Sequence, residues 1–270
     1  MGDGTDLSGT TLGDYALGEV LGRGGMSTVY RALDRRSGGE VACKVMSARV
    51  SADPAVRRRF ARQVCVIDHP HVIPIHEIGE TAGRLFVSMR LVRGTDVQAT
   101  LRAGGLRPTR ALGIFGQLSS ALAALHGRGL LHLDLKPANV LLAADRTDHV
   151  FLMDYGLQEA TPSTRADFVG TPNYASPEHL RGTSIGPRSD VYSLTCVLFA
   201  LLAGRPPFAG RLTEVIGGHL RGEAPSLAAI TGLPERIDGV IRAGLHTDPG
   251  RRPACPETLA DAARTALAGC

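Results

Sequence analysis

The chain has 270 residues, 43% of them hydrophobic, enough to bury a sizeable core as one large domain or two lobes. Its net charge of +4 comes from basic residues scattered along the chain rather than blocked, which argues against a nucleic-acid-binding stripe. Five cysteines, with no C-x-x-C pair among them, argue against a disulfide framework and a zinc site and fit a reducing cytosol.

Residues 1–13 are mainly Gly, Asp, Thr and Ser and read as a loose tail without a signal peptide. From Tyr15 the pattern turns to β: YALGEVLG alternates, RGGMS breaks it, and TVYRALD resumes it. DRRSGG is a turn and EVACKVM a third strand, so an antiparallel meander with a glycine-rich first turn is expected. Asp53-Pro54 reads as an N-cap followed by proline, with a helix from there to about residue 67. Strands are expected over 71–80 and 84–93. A helical pattern then occupies 109–126, a loop-rich stretch 127–157, and further helices 188–203, 211–221, 234–245 and 256–268. The longest apolar run, VYSLTCVLFALLAG (191–204), is too short to span a membrane and predicts a buried core helix. Any membrane anchor would lie outside this chain. The layout is α+β: a small antiparallel β-rich lobe over 14–93 and a larger, mainly helical lobe over 94–270.

Of the 30 basic residues only Lys44 and Lys136 are lysine, leaving 28 arginines. An ammonium is a compact point charge and a guanidinium a wide fork, so the two lysines are candidates for sites that need a small cation. The stretch LGRGGMSTV leads into a strand rather than a helix. That disfavours a dinucleotide-binding turn and suits a backbone flap over phosphates. Lys44, on the next strand in VACK, can reach the phosphates beneath such a flap. HLDLKPANVLL (132–142) supplies Asp134 to accept a hydroxyl proton and Lys136 to neutralise a transferred phosphoryl group. It also supplies Asn139 to offer an oxygen to a hard metal, and Asp154 in MDYG can hold the same metals.

These stretches, with GTPNYASPE, SDVYSL and DPGRRP in that order, resemble a bacterial eukaryotic-type serine/threonine protein kinase catalytic domain over about residues 14–267. The resemblance implies a bilobal fold, ATP between the lobes, Mg²⁺ or Mn²⁺ on Asn139 and Asp154, and a protein Ser/Thr substrate. It implies catalytic roles for Asp134, Lys136, Lys44 and Thr171. Nucleotide contacts would come from Leu21, Gly22, Gly24, Gly25, Val29, Ala42, Lys44, Met89, Arg90, Val92 and Leu141. Glu178 would pair with Arg252, and Asp190 would brace the catalytic loop. A cytoplasmic domain is implied, alone or as part of a longer membrane-anchored protein; a homodimer is left open.

The sequence departs from the family pattern in places. No glutamate occurs between Glu40 and Glu77, so the usual helix partner of Lys44 is replaced, on spacing, by the neutral Gln63. A neutral partner holds an ammonium less firmly, by about 1–2 kcal/mol. Leu133 stands where an arginine usually precedes the catalytic aspartate, so phosphate on the activation segment has no arginine there to dock on. Thr161, Ser163 and Thr164 remain candidate phosphosites. Ser27 replaces a common third glycine and Tyr155 the usual phenylalanine. Three functions stay open: an active protein kinase, a pseudokinase that binds nucleotide without transfer, and a small-molecule phosphotransferase, which GTPNYASPE disfavours.

Overall fold

A computed structural model describes residues 6–63, 66–155 and 172–270, without the side chains of residues 59 and 61–63. The chain divides into two units, one running through residue 69 and including 73–93, the other made of 70–72 and 94–270.

The first unit is built on a six-stranded antiparallel sheet. Its strands are β1 (Thr11–Leu12), β2 (Tyr15–Arg23), β3 (Ser27–Asp34), β4 (Glu40–Met46), β5 (Ile75–Thr81) and β6 (Arg84–Arg90), in the order β1-β2-β3-β4-β6-β5. The β5–β6 hairpin closes on two residues, Ala82 and Gly83, both with positive φ, as a tight twisted hairpin turn requires. The first helices, α1 (Ala48–Ala52) and α2 (Pro54–Gln63), follow β4. Asp53 caps α2, its Oδ1 accepting from the Ala55 amide at 2.7 Å.

The second unit holds a small sheet, β7 (Gly94–Asp96), β8 (Val140–Ala143) and β9 (Val150–Leu152), and the remaining helices. These are α3 (Val97–Leu101), α4 (Pro108–His126), α5 (Pro177–Arg181), α6 (Pro187–Ala203), α7 (Leu212–Arg221), α8 (Leu227–Thr231), α9 (Arg236–Gly244) and α10 (Pro256–Ala266). Helix α6 carries the apolar run and is buried nearly all round, with α4, α8, α9 and α10 packed against it. Pro187 opens it and Gly204, at φ 74°, ends it in the left-handed cap that glycine favours.

Several expectations need correction. Residues 6–13 are not loose. Leu12 is buried with Tyr15, Leu17, Tyr30, Val41, Cys43 and Phe86, Leu7 packs on that cluster, and β1 pairs with β2. The strand expected over 71–80 begins only at Ile75. Pro74 lacks an amide for the ladder, and His71 accepts instead from the Leu152 amide at 2.8 Å in the second unit. The strand expected to reach residue 93 ends at Arg90, and the helix expected to reach about 67 has no helical residue over 66–69. The loop-rich stretch 127–157 contains β8 and β9.

Leu12→Ala should lower the unfolding free energy by about 2–4 kcal/mol in a urea titration. A loose tail would show no change.

Candidate active site

Strand β4 sorts its side chains by parity. Val41, Cys43 and Val45 join the core cluster, so Ala42 and Lys44 point to the opposite face. Lys44 pairs across the sheet with Val29, Val29 with Gly22, and Ala42 with Met89. Directly opposed residues share a face, so Gly22, Val29, Ala42, Lys44 and Met89 lie together on the face away from that core. Leu21 is exposed among the register shifts of β2. In the flap, the Gly24 amide donates to Ser27 O at 2.9 Å. A Cβ on Gly22 or Gly25 would meet nothing within 4 Å, and no flap glycine has positive φ. The hairpin itself therefore does not demand glycine there, which leaves bare backbone open to an approaching group. The Arg90 amide is donated to Pro74 O at 2.9 Å and is taken; Val92 lies beyond the strand end. The Gln63 side chain, expected beside Lys44, lies outside the described residues.

In the second unit the HLDLKPAN loop ends in a short 3-10 turn, Pro137–Asn139, that runs into β8 and Leu141. Lys136 Nζ meets Asp134 Oδ2 at 2.6 Å. Asn139 Nδ2 donates to Asp134 O at 2.8 Å and to its Oδ2 at 3.1 Å. The amide nitrogen of Asn139 is thus committed, and its carbonyl oxygen is the end left for a cation. The Met153 amide donates to Asn139 O at 3.1 Å, so the strand leading to Asp154 is fastened to the same turn. Asp134, Lys136 and Asn139 form one hydrogen-bonded cluster.

Sequence reasoning passed over His132, which is fully buried. Its Nδ1 accepts from the Asp134 amide at 3.3 Å, which puts the proton on Nε2, 2.9 Å from Met153 O. One ring therefore ties the loop of Asp134 to the residue before Asp154. A histidine two places before the aspartate was the available signal.

The loop is strained. Leu133 has φ 61° and Asp154 φ 65°, the left-handed region that costs a non-glycine residue about 1–2 kcal/mol. Asp190, fully buried on α6, holds the loop in place: Oδ2 accepts from the His132 amide and Oδ1 from the Leu133 amide, both at 2.8 Å. His126, from the last turn of α4, adds its Nε2 at 2.8 Å to Oδ2.

Downstream, Arg252 and Glu178 form a buried two-pronged pair at 2.7 and 2.8 Å. All five Arg252 donors are used, the others by Arg188 O, Thr247 O and His246 O, and the guanidinium lies 4.8 Å over the Tyr192 ring. Ser189 Oγ donates to Glu178 Oε1 at 2.6 Å. Burial alone would raise the Glu178 carboxyl, but hydrogen bonds from Arg252 and Ser189 pull it below the ordinary glutamate range. Ser193 Oγ holds Tyr174 O at 2.8 Å, so the end of NYASPE is fastened to α6 at two points. Thr171, Gly156 and the candidate phosphosites Thr161, Ser163 and Thr164 lie outside the described residues.

Asp190→Asn turns an NH₂ toward one loop amide and should cost about 3 kcal/mol in chemical unfolding. Arg252→Ala should cost about 3–5 kcal/mol near neutral pH by leaving a buried carboxylate unpaired. In the wild type the lowered Glu178 pKa contributes stability above the ordinary glutamate range, lost as pH falls through its folded value. The cost of Arg252→Ala should therefore shrink in acid, which unfolding titrations from neutral pH downward would read.

A family model described as "Protein kinase domain" matches residues 15–262. Serine/threonine-protein kinase PknE of Mycobacterium tuberculosis is 40% identical over 98% of this chain and 49% of its own length. Serine/threonine-protein kinase PknH of Mycobacterium bovis is 40% identical over 99% of this chain and 46% of its own. The chain thus spans about half the length of the curated relatives it matches. The crystal structure of the Mycobacterium tuberculosis PknI kinase domain superposes with a TM-score of 0.79 at 31% identity, covering 96% of this chain and 98% of that one. The antiparallel sheet of the first unit and the helices of the second are those of the protein kinase fold, and this chain belongs to the protein kinase domain family.

Proposed function

We propose that this chain transfers the γ-phosphate of ATP to serine or threonine hydroxyls of a protein. The observation that carries this is the Asp134–Lys136–Asn139 cluster, a carboxylate held between an ammonium and a carboxamide on a loop fixed by Asp190. Phosphoryl transfer asks mainly for positioning and electrostatics, and these groups supply both.

The Asp134 carboxylate accepts the substrate hydroxyl proton. The hydroxyl oxygen bonds to the γ-phosphorus, and the bond from phosphorus to the β–γ bridging oxygen breaks, releasing ADP. Lys136, bound to the same carboxylate, places its cation where charge spreads over the transferred group. Lys44 serves the α- and β-phosphates, and the uncrowded backbone of Gly22, Gly24 and Gly25 can close on them. Leu21, Val29, Ala42, Met89 and Leu141 supply apolar contact to the base, with the carbonyl of Arg90 and the backbone of Val92 as its polar contacts. Asn139, through its free carbonyl oxygen, and Asp154 would hold Mg²⁺ or Mn²⁺. When bound, such an ion neutralises charge on the phosphate oxygens. Thr171 would add a hydroxyl near Asp134 and Lys136.

A protein rather than a small molecule is favoured as acceptor because the resemblance makes GTPNYASPE a peptide-docking element, and its NYASPE end is fastened to Ser193 and Arg252. The kinase names of the relatives point the same way. The buried, unpaired Cys43 and Cys196 fit a reducing cytosolic setting. Among the described residues no helix is long and apolar enough to cross a membrane.

The test is γ-phosphate transfer from ATP with Mg²⁺ or Mn²⁺ to a generic basic protein, with phosphosites read by mass spectrometry. Wild type should label Ser or Thr. Asp134→Asn should lose about 10²- to 10⁴-fold in rate while keeping its melting temperature. Nucleotide-induced thermal stabilisation without transfer would establish the pseudokinase reading, which the absent helix glutamate and Leu133 favour. Labelling of a small molecule but of no protein would establish a phosphotransferase.

A further inference from the structure

Arg23 lies in the glycine-rich flap but faces away from the nucleotide side. It follows Gly22 on β2, so by the two-residue alternation of a strand its side chain leaves the sheet on the face opposite Gly22, Val29 and Lys44. There its Nη2 donates to Asp6 Oδ2 at 2.6 Å, in a half-exposed ion pair. Among the described residues, no other side chain of 21–27 makes a hydrogen bond.

Asp6 is itself held. Its Oδ1 accepts from the Ser8 amide at 2.9 Å and from the Ser8 hydroxyl at 2.7 Å, which leaves Oδ2 to Arg23. These bonds hold the Asp6 carboxyl below the ordinary aspartate range, so it is charged at neutral pH. The residues that follow are fastened to the sheet. The Leu7 amide donates to the Tyr30 hydroxyl at 3.1 Å, and the Leu7 side chain packs on the core cluster. The Gly9 amide donates to Leu17 O and the Leu17 amide to Thr10 O, both at 2.8 Å. Thr11 and Leu12 then pair with Ala16 and Tyr15. Residues 6–12 therefore run beside β2 and reach the flap at Arg23.

The flap has use for such a tie. The pairing of β2 with β3 shifts register twice, between Leu17 and Val20 and between Val20 and Gly22. A flap reached through two irregularities, with glycine at 22, 24 and 25, has backbone freedom to lose when it closes on phosphates. A bond made in advance lowers that cost.

We infer that Asp6 is a positioning residue for the nucleotide: through Arg23 it holds the flap from the face away from the phosphates, and residues 6–12 are the strap that anchors it to the sheet. This rests on the proposal that the flap closes on ATP. An exposed ion pair is weak, so its effect should be small, dependent on salt and confined to ATP.

Asp6→Asn keeps an oxygen for Ser8 and loses the charge that meets Arg23. Arg23→Ala and the double variant complete the cycle. Calorimetric titration with ATP and Mg²⁺ should show Kd raised about two- to fourfold in all three, with the double variant no worse than Arg23→Ala. In transfer assays KM for ATP should rise by the same factor, with KM for the acceptor protein unchanged. The gap between wild type and Asp6→Asn should shrink as NaCl goes from about 0.05 to about 0.5 M. Amide hydrogen exchange over 20–27 without nucleotide should quicken about two- to fourfold in the three variants. A merely structural tail would lower the melting temperature and leave these readings unmoved. If wild type binds ATP but transfers no phosphate, the kinase proposal fails while the Kd cycle still reads the strap. If wild type binds no ATP, both fall together. The inference alone is overturned if Asp6→Asn leaves Kd and exchange unchanged, if the double variant multiplies the two single effects, or if acceptor KM rises in place of KM for ATP.

Discussion

The carboxylate of Asp190 is the constraint on which the rest of the helical unit depends. A charge removed from water is costly unless its lone pairs are filled, and here two successive backbone amides and the His126 ring fill them. In return those bonds hold Leu133 in a left-handed conformation that a leucine would otherwise avoid. That single reversed residue turns Asp134 away from its buried neighbours Leu133 and Leu135. Because Asp190 is carried by the most buried helix of the unit, the loop inherits that helix's rigidity.

The same helix anchors the second polar system. Ser189 stands about one turn before the neighbours Tyr192 and Ser193 on α6, and the three meet Glu178, Arg252, His219 and Tyr174. A helix this apolar could be buried in many rotations. Its few polar side chains select one, since every other rotation would strand them without partners. Packing contributes the bulk of the stability, and the buried bonds fix the alignment of the Asp134 loop and the NYASPE segment to one another.

Much of this was legible in sequence, for physical reasons that differ by element. The two lysines, beside 28 arginines, drew notice as candidates for a compact cation; Lys136 stands paired with Asp134 in the cluster, and Lys44 on the sheet face away from the core. Asp53-Pro54 announced the start of α2, and Asp190 in SDVYSL announced the brace. The short elements did not show. Strand β1 has two residues and one buried side chain, Leu12, inside a polar stretch. Strands β7 to β9 have three or four residues each, too few for alternation to register, and their pairing is long-range.

Leu133 is where local chemistry and the loop frame meet most directly. An arginine at so buried a position would need an anion beside it, since an uncompensated guanidinium costs several kcal/mol. Leucine instead gains about 2 kcal/mol by leaving water. The bonds that shape the loop run from Asp190 to main-chain amides, and amides are the same whichever side chain follows. Asp134 finds its counter-charge within its own loop, in Lys136, and a further donor in Asn139. Replacing the arginine therefore removes a demand for an anion without removing any bond that holds the Asp134 carboxylate. In the described structure the alignment of Asp134 follows from Asp190, Lys136 and Asn139, with no contribution from a cation at position 133.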